Sequence, residues 1–232
     1  MIIAKKIRAS QRGLFNLELI DKLLIINKIS YPLFFFSKIK AAKKGGREMR
    51  IETPLKDGWI FKKNGESTAV SLPHTWNAGD GQCPAYFRGE CSYIRFLEKA
   101  ETTTYLKFLG ANLKTMVFIN SRFVGGHLGG YSEFSFDITN FLTLENNKLE
   151  VLVSNADCTK AYPSIADFTF YGGLYRDVYL VLCEKTHFAL EGGLKAAAVK
   201  EDGKWLIKAA AVVSGEDKNF QISYELKNQD GE

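Results

Sequence analysis

The chain has 232 residues, 46% of them apolar and 25% charged, which is ordinary for a globular protein and long enough for one large or two modest domains. The net charge of +5 is unevenly distributed, because residues 1–48 carry 11 Lys/Arg and 3 Asp/Glu and the remainder has a net charge of −3. The composition after residue 48 therefore argues against a nucleic-acid or membrane partner.

The first 48 residues have an apolar stretch that is too short to cross a membrane. Leu23–Phe36 has 14 residues and is interrupted by Lys28 and Pro32, whereas a spanning helix needs about 20 predominantly apolar residues. Acidic and basic residues also crowd the region that would be apolar in a secretory signal. A membrane anchor or signal is therefore the weaker interpretation of this segment.

The hexapeptide KKGGRE directly before Met49 suggests another origin for this leader. It can be encoded by a purine-rich run containing AAGGAGG, which is similar to a bacterial ribosome-binding site. Charge and composition change abruptly at the same point. We therefore expect Met49 to be the start and residues 1–48 to be mis-translated upstream sequence.

Short strands separated by turns begin after Met49, and no stretch shows a sustained apolar period of 3.6 residues. Eight or so short strands at this spacing predict an all-β jelly-roll sandwich over residues 49–185. The predicted strands are Trp59–Phe61, Thr68–Leu72, Cys91–Leu97, Thr104–Leu109, Lys114–Ile119, Arg122–Val124, Phe134–Ile138, Lys148–Val153 and Arg176–Leu182.

A second set of strands follows Glu184. Leu194–Val199, Trp205–Val213 and Phe220–Leu226 are each bounded by turn residues. Three strands are too few to close a sandwich of about seven. Residues 186–232 are therefore expected to be the start of an incomplete domain.

The four cysteines show no metal-ligand pattern. There is no CxxC pair, and the three histidines are not spaced to complete a metal site. Cys91 and Cys183 lie in apolar strand-like runs, where a free cysteine behaves as a small buried hydrophobe. We predict no metal site and no cofactor within this chain.

Four motifs in order resemble the N-terminal sugar-binding jelly roll of glycoside hydrolase family 2, and within that family the β-galactosidases. They cover about residues 53–185, and residues 186–232 resemble the first strands of the immunoglobulin-like domain that follows it. The motifs are Leu72-Pro-His-Thr-Trp-Asn, Tyr86-Phe-Arg-Gly-Glu-Cys-Ser-Tyr, Val117-Phe-Ile-Asn with Val124-Gly and His127, and Asp167-Phe-Thr-Phe-Tyr-Gly-Gly-Leu-Tyr-Arg-Asp-Val.

The resemblance implies an exo-acting retaining glycosidase whose catalytic residues lie in a later TIM barrel. Such enzymes use two carboxylates about 5–5.5 Å apart, one as nucleophile and one as acid. The barrel is absent from this chain, so no catalytic residue can be assigned. Sodium or magnesium is implied only for the full-length enzyme.

Asp167 is the first substrate-binding candidate. In the family the acid at this position reaches the pocket and accepts hydrogen bonds from hydroxyls of the terminal sugar, which suits an ionised carboxylate. The neighbouring aromatic residues would pack at a domain junction or against a sugar face. Gly172 and Gly173 are expected to let the backbone turn into the next strand.

Arg88 and His127 are the other two candidates. β-Galactosidases have an Asn that contacts the sugar near this position, whereas this chain has Phe87 and Arg88 there, so the role of that Asn does not carry over. Arg88 either contacts the substrate or pairs with a nearby acidic residue. His127 lies beside glycines and could face a ligand. The remaining expectations are an Arg176–Asp177 ion pair, and packing with hydrogen bonds inside the sandwich for His74 and Trp76. Core packing is also expected for the aromatic residues Trp59, Trp76, Tyr86 and Phe87, with a sugar-stacking platform as the alternative.

Three functions follow from these observations. The first is the N-terminal, non-catalytic portion of a β-galactosidase-like glycosidase that acts on a terminal β-linked sugar such as a galactoside in the cytoplasm. The second is a free-standing carbohydrate-binding module without hydrolytic activity. The third, a membrane-tethered interaction domain, requires a genuine leader. The oligomeric state and the exact sugar cannot be read from the sequence.

Overall fold

The computed structural model describes the backbone of residues 7–8, 15–18, 34–43, 50–79, 85–161, 168–201, 204–215 and 220–228. The chain divides into two units. One is Arg50–Leu182, and the other comprises Met1–Met49 together with Cys183–Glu232.

Strands dominate the described residues, and the only helical element among them is a 3-10 turn at Thr139–Phe141. No helix in this part of the chain is long and apolar enough to span a bilayer. The strands are β1 (Ile7–Arg8), β2 (Phe15–Glu18), β3 (Phe34–Lys43), β4 (Arg50–Pro54), β5 (Trp59–Lys63), β6 (Glu66–Val70), β7 (Glu90–Leu97), β8 (Thr103–Phe108), β9 (Lys114–Ile119), β10 (Arg122–Leu128), β11 (Phe134–Asp137), β12 (Asn147–Ser154), β13 (Val178–Cys183), β14 (His187–Phe188), β15 (Leu194–Glu201), β16 (Lys204–Ser214) and β17 (Phe220–Asn228).

The Arg50–Leu182 unit contains two sheets. The larger has the strand order β10-β9-β12-β7-β5-β6, and the smaller has the order β11-β8-β13-β4. Alternate residues along the strands are buried, as in β8, where Thr104, Leu106 and Phe108 have no exposed area. This alternation gives each sheet one apolar face.

The core lies between the two apolar faces. Tyr93, Val151 and Val117 form one row across three strands of the larger sheet and are fully buried. They belong to the same cluster as Leu106 and Phe108 of the smaller sheet. The all-β sandwich predicted from the sequence is therefore confirmed.

The other unit contains a sheet of order β1-β17-β3 and a sheet of order β14-β16-β15, in which β2 also pairs with β16. The strands predicted after residue 193 correspond to β15, β16 and β17. The assignment of residues 186–232 as an immunoglobulin-like domain stays a prediction. So does the interpretation of residues 1–48 as upstream sequence.

Several connections of the sandwich meet at one end of the sheets. Glu90, Ser154, Lys114 and Leu128 are consecutive partners across the larger sheet, so the connections beside them lie together. Phe108 pairs with Phe134 at the same end of the smaller sheet. We call the connections 85–89, 109–113, 129–133, 155–161 and 168–177 the loop end.

Candidate functional site

The centre of the loop end is the segment Phe168–Gly173, called here the aromatic segment. The Phe170 amide donates to Tyr86 Oη at 3.1 Å, and the Phe170 carbonyl accepts from Asn155 Nδ2 at 2.8 Å. The Asn155 side chain also accepts from the Gly89 amide at 2.9 Å. Asn155 therefore ties the aromatic segment to the connection that precedes β7.

Two more asparagines bind the following residues of this segment. Asn112 Nδ2 donates to the Tyr171 carbonyl at 2.7 Å, and Asn77 Oδ1 accepts from the Gly172 amide at 2.8 Å. Thr75 Oγ1 donates to the Gly172 carbonyl at 2.8 Å. The backbone of the segment is thus bound by side chains from separate connections.

The three asparagines are almost completely removed from solvent. Asn77 and Asn155 have no exposed area, Asn112 is 5% exposed, and Asn155 Nδ2 lies 3.2 Å from Asn77 Oδ1. Buried amides are stable only when they are paired, and paired networks restrict a segment to one conformation. We call Asn77, Asn112 and Asn155 the asparagine clamp.

The glycine pair predicted to turn the chain has two separate functions. Gly173 has φ of +126°, a region that side chains disfavour, and it forms a β-bridge with Asn112, so the steep backbone turn stays a prediction. Gly172 is required for a different reason, because a Cβ there would lie 1.9 Å from Trp76 Cζ2. The indole ring therefore packs directly on the Gly172 backbone.

His74 and Tyr93 lie against Gly173 from within the sandwich. His74 Nδ1 and Tyr93 Oη are 2.8 Å apart, and the His74 ring packs on Phe61 with centroids 4.8 Å apart. Burial lowers the pKa of His74 and raises that of Tyr93, so both side chains are neutral near pH 7. The predicted packing and hydrogen bonding of His74 is confirmed.

Arg88 lies at the edge of the aromatic segment. Its Nε donates to the Asn155 carbonyl at 3.0 Å, its guanidinium lies 4.7 Å from the Phe170 ring centroid, and its Nη1 pairs with Asp157. The Asp157 side chain is 83% exposed. Arg88 therefore has the local acidic partner considered from the sequence, and a role in substrate binding stays a prediction.

His127 lies on β10 and contacts the smaller sheet. Its ring stacks on Phe134 with centroids 4.1 Å apart and an interplanar angle of 11°, and Nε2 is 3.1 Å from Ser132 Oγ. Ligand binding by His127 stays a prediction.

Asp167, the first candidate from the sequence, lies outside the described residues. The next residue along the chain, Phe168, begins the aromatic segment. The geometry of the loop end therefore does not test the predicted contact of Asp167 with substrate.

The predicted Arg176–Asp177 ion pair is wrong. Arg176 Nη1 donates to the carbonyls of Leu109 and Tyr131, at 3.1 and 3.0 Å, and Asp177 Oδ2 instead accepts from the Tyr179 hydroxyl at 3.5 Å. The Arg176 guanidinium is thus bound by two backbone carbonyls and the Asp177 carboxylate by a hydroxyl.

Most of the residues predicted to pack internally do so. Trp59 and Trp76 are 1% and 8% exposed, Phe87 packs against the core, and Cys91 and Cys183 are buried. Among the described residues Trp76 Nε1 has no hydrogen-bond partner, so the predicted hydrogen bond of Trp76 is wrong. Tyr86 is only half-buried, and its hydroxyl accepts from the Phe170 amide. Among the described residues, His, Cys, Asp and Glu side chains form no group of three or more that could hold a metal.

The asparagine clamp could not be predicted from the sequence. Asn77 stands in the motif Leu72–Asn77, but Asn112 and Asn155 follow apolar strands and read as ordinary turn residues. Their partners are 15 to 95 residues away, so no local pattern marks them.

These features define an antiparallel β-sandwich domain that holds an aromatic segment rigidly at one end. A comparison with protein families assigns it further, because residues 88–183 match the family described as glycosyl hydrolases family 2, sugar binding domain. This part of the chain belongs to that family, as the motifs indicated.

Individual relatives agree with this assignment. The chain is 37% identical over 148 residues to a β-glucuronidase of Bacteroides fragilis, and 30% identical over 132 residues to a β-galactosidase of Thermoanaerobacter pseudethanolicus. These alignments cover 59% and 55% of the chain, and 21% and 18% of the relatives.

A solved structure with the same fold is the FMN-binding β-glucuronidase from Facaelibacterium prausnitzii L2-6. It superposes with a TM-score of 0.66 at 34% identity and covers 74% of this chain. The matched part is 29% of that protein. The chain thus spans less than a third of the length of the proteins it matches.

Proposed function

We propose that this chain is the N-terminal, non-catalytic portion of a β-galactosidase-like exo-glycosidase of family 2. The observation that carries the proposal is the match of residues 88–183 to the family's sugar binding domain. The relatives named above are β-glucuronidases and β-galactosidases, and the chain corresponds to about a fifth of their length. Their hydrolytic activity would belong to the whole protein.

The substrate proposed for the whole enzyme is a terminal β-linked hexopyranoside. A galactoside follows from the resemblance of the sequence motifs, and the β-glucuronidase relatives add glucuronides to the candidates. The chain would contribute to the substrate pocket through its loop end. The catalytic pair of carboxylates would be supplied elsewhere in the enzyme.

Asp167 is the proposed contact to the terminal sugar, with Arg88 and His127 at the border of the pocket. A carboxylate can accept hydrogen bonds from two sugar hydroxyls at once. The asparagine clamp supports this proposal, because it binds the backbone of Phe170–Gly172, which follows Asp167 closely in the chain. A fixed backbone lowers the entropy lost when a side chain binds.

A chimera tests the proposal. The aligned N-terminal part of the Bacteroides fragilis β-glucuronidase is replaced by residues 50–232 of this chain, and hydrolysis of nitrophenyl β-glucuronide and β-galactoside is measured. The substitution Asp167→Asn in the chimera should raise KM about tenfold, because it weakens one charged hydrogen bond to the sugar. Glu145→Gln, an exposed acid away from the loop end, is the matched control.

The alternative, a free-standing carbohydrate-binding module, is favoured by one observation. Phe168 and Tyr171 expose 48% and 46% of their area at the loop end, and sandwich domains bind sugars in many proteins. Titration calorimetry with galactose and lactose separates the two functions. Measurable heat with this chain alone supports the module, and its absence together with an active chimera supports the enzyme portion.

A further inference from the structure

The outward face of the larger sheet carries a row of apolar side chains. Phe123 pairs with Phe118, both Phe118 and Ile94 pair with Glu150, and Ile94 pairs with Ile60. The row therefore crosses five neighbouring strands. The adjacent row, described above, points into the core, so the alternation of the strands directs this one outwards. Phe123 and Ile60 are 56% and 40% exposed.

The rows on either side extend this apolar surface. Phe96 pairs with Lys148 and is 59% exposed. Leu152 pairs with Met116, and both are partly buried. The outward face of an antiparallel sheet is usually polar, and adjoining exposed apolar side chains mark an interaction surface. We call the apolar residues Ile60, Ile94, Phe96, Phe118, Phe123 and Leu152 the outer face.

An ion pair lies at the centre of the outer face. Lys148 and Glu150 are two residues apart on β12, the third of the six strands, and Lys148 Nζ is 2.7 Å from Glu150 Oε2. Consider a two-fold axis that lies in the face and crosses β12 between these residues. It would place Lys148 of each copy opposite Glu150 of the other, so the charges of the face complement those of a second copy.

The same axis would also match the apolar side chains. On β7, Ile94 pairs with Glu150 and Phe96 with Lys148. The axis that exchanges the two charges would therefore bring Phe96 of one copy onto Ile94 of the other. Phe96 is 59% exposed, whereas Ile94 is 5% exposed. A projecting ring would thus meet a recessed side chain, twice in each dimer.

We propose that the outer face binds a second copy of this chain, with the two larger sheets packed face to face. Six strands about 4.8 Å apart and about 20 Å long give a face of about 600 Å² per copy. The two copies together would bury about 1,200 Å², the lower limit of a specific interface. This interface does not depend on the proposed function, because it uses no residue of the loop end.

Sedimentation velocity of the whole 232-residue chain tests the dimer. A small interface dissociates in the micromolar range, so the chain is studied between about 5 and 200 µM. The sedimentation coefficient should rise with concentration towards that of a particle of twice the mass. Phe96→Lys should abolish the rise, because it places a charge in the apolar contact. Tyr131→Lys, at a 51% exposed ring of the loop end, is the matched control and should leave the rise unchanged.

Charge reversal tests the two-fold arrangement itself. Lys148→Glu would set acids against acids, and Glu150→Lys would set bases against bases, so each variant alone should stay monomeric. An equimolar mixture of the two should form a mixed dimer, and the double variant K148E/E150K should associate like the parent chain. Loss of the ion pair within β12 cannot explain recovery in the mixture, because both variants lack it.

The outcomes separate this inference from the proposed function. A chain that remains monomeric at every concentration overturns the interface, and so does a dimer that Phe96→Lys leaves intact. A mixture of the two charge variants that fails to associate overturns the two-fold arrangement. The chimera tests the enzyme portion independently, because its activity is measured at concentrations far below those of dimer formation.

Discussion

Asn155 has no exposed area, and its side-chain amide donates to the Phe170 carbonyl at 2.8 Å. Replacing Asn155 with Ala would leave that carbonyl and the Gly89 amide unpaired in the interior. We expect a loss of about 2–4 kcal/mol in the free energy of unfolding, because each unpaired buried group costs about 1–3 kcal/mol. Urea unfolding measures it.

Asn140 provides the matched control for this substitution. Its side chain is exposed in the turn after β11. Asn140→Ala should stay within about 0.5 kcal/mol of the parent chain. Equal losses in the two variants would mean that the asparagine clamp does not stabilise the loop end.

A methyl group at Gly172 should disrupt the packing of Trp76. Its Cβ would lie 1.9 Å from Trp76 Cζ2, so the indole or the backbone must shift, and overpacking of this kind costs about 1–3 kcal/mol. Thermal unfolding of Gly172→Ala should show a lower midpoint. Gly79→Ala, where a Cβ meets nothing within 4 Å, should unfold like the parent chain.

Stability should fall as the pH drops below 6.5 because of His74. Burial lowers its pKa below the ordinary value of 6.5, so the unfolded chain takes up the proton first and acid favours unfolding. The contribution of His74 is present above pH 6.5 and is lost as the pH falls through its folded pKa. Urea unfolding across this range detects the change.

Carboxylates also titrate in acid, so the comparison with His74→Asn is decisive. The asparagine keeps a polar group near Tyr93 Oη and carries no titrating proton. Its unfolding free energy should depend less on pH than that of the parent chain between pH 6.5 and about 5. Identical slopes would exclude His74 as the source.

The two partners of the Arg88–Asp157 pair should differ in their effect on stability. Asp157→Asn should cost less than about 1 kcal/mol, because Asp157 is 83% exposed and such ion pairs are screened by water. Arg88→Ala also removes the bond to the Asn155 carbonyl and the contact with the Phe170 ring, so we expect about 1–2 kcal/mol. Denaturant titration of both variants measures the two losses, and equal losses would contradict this assignment.

Cys91 should resist alkylation in the folded chain. It is 3% exposed, and burial raises the pKa of its thiol to about 11 despite the nearby Lys63. The reactive thiolate is therefore rare at about pH 8. Peptide mass spectrometry after iodoacetamide treatment should find Cys91 unmodified until the chain is unfolded, with half-buried Cys158 modified earlier.

The sheet strands could be predicted where one face is buried. In β8, β9 and β12 apolar and polar residues alternate, and the structure buries the residues that this pattern selects. β4 could not be found this way, because all five of its residues are exposed. Its pairing is decided by the neighbouring strand and not by its own side chains.

The candidate site was less predictable. The aromatic segment and its glycines could be singled out by composition, but what fixes them comes from residues far along the chain. The charges of Arg176 and Asp177 are adjacent in sequence and suggested an ion pair. Arg176 instead donates to the carbonyls of Leu109 and Tyr131, which belong to connections far away in the sequence.

The asparagine clamp also has a consequence during synthesis. Asn77 and Asn112 emerge from the ribosome 95 and 59 residues before their partners in the aromatic segment. Until Tyr171 and Gly172 are added, the hydrogen bonds of Asn112 Nδ2 to the Tyr171 carbonyl and of Asn77 Oδ1 to the Gly172 amide cannot form, so a nascent chain arrested earlier would leave this end of the sandwich open to water. Such intermediates are substrates for chaperones and proteases, so cellular quality control would remove stalled products before this end of the sandwich closes.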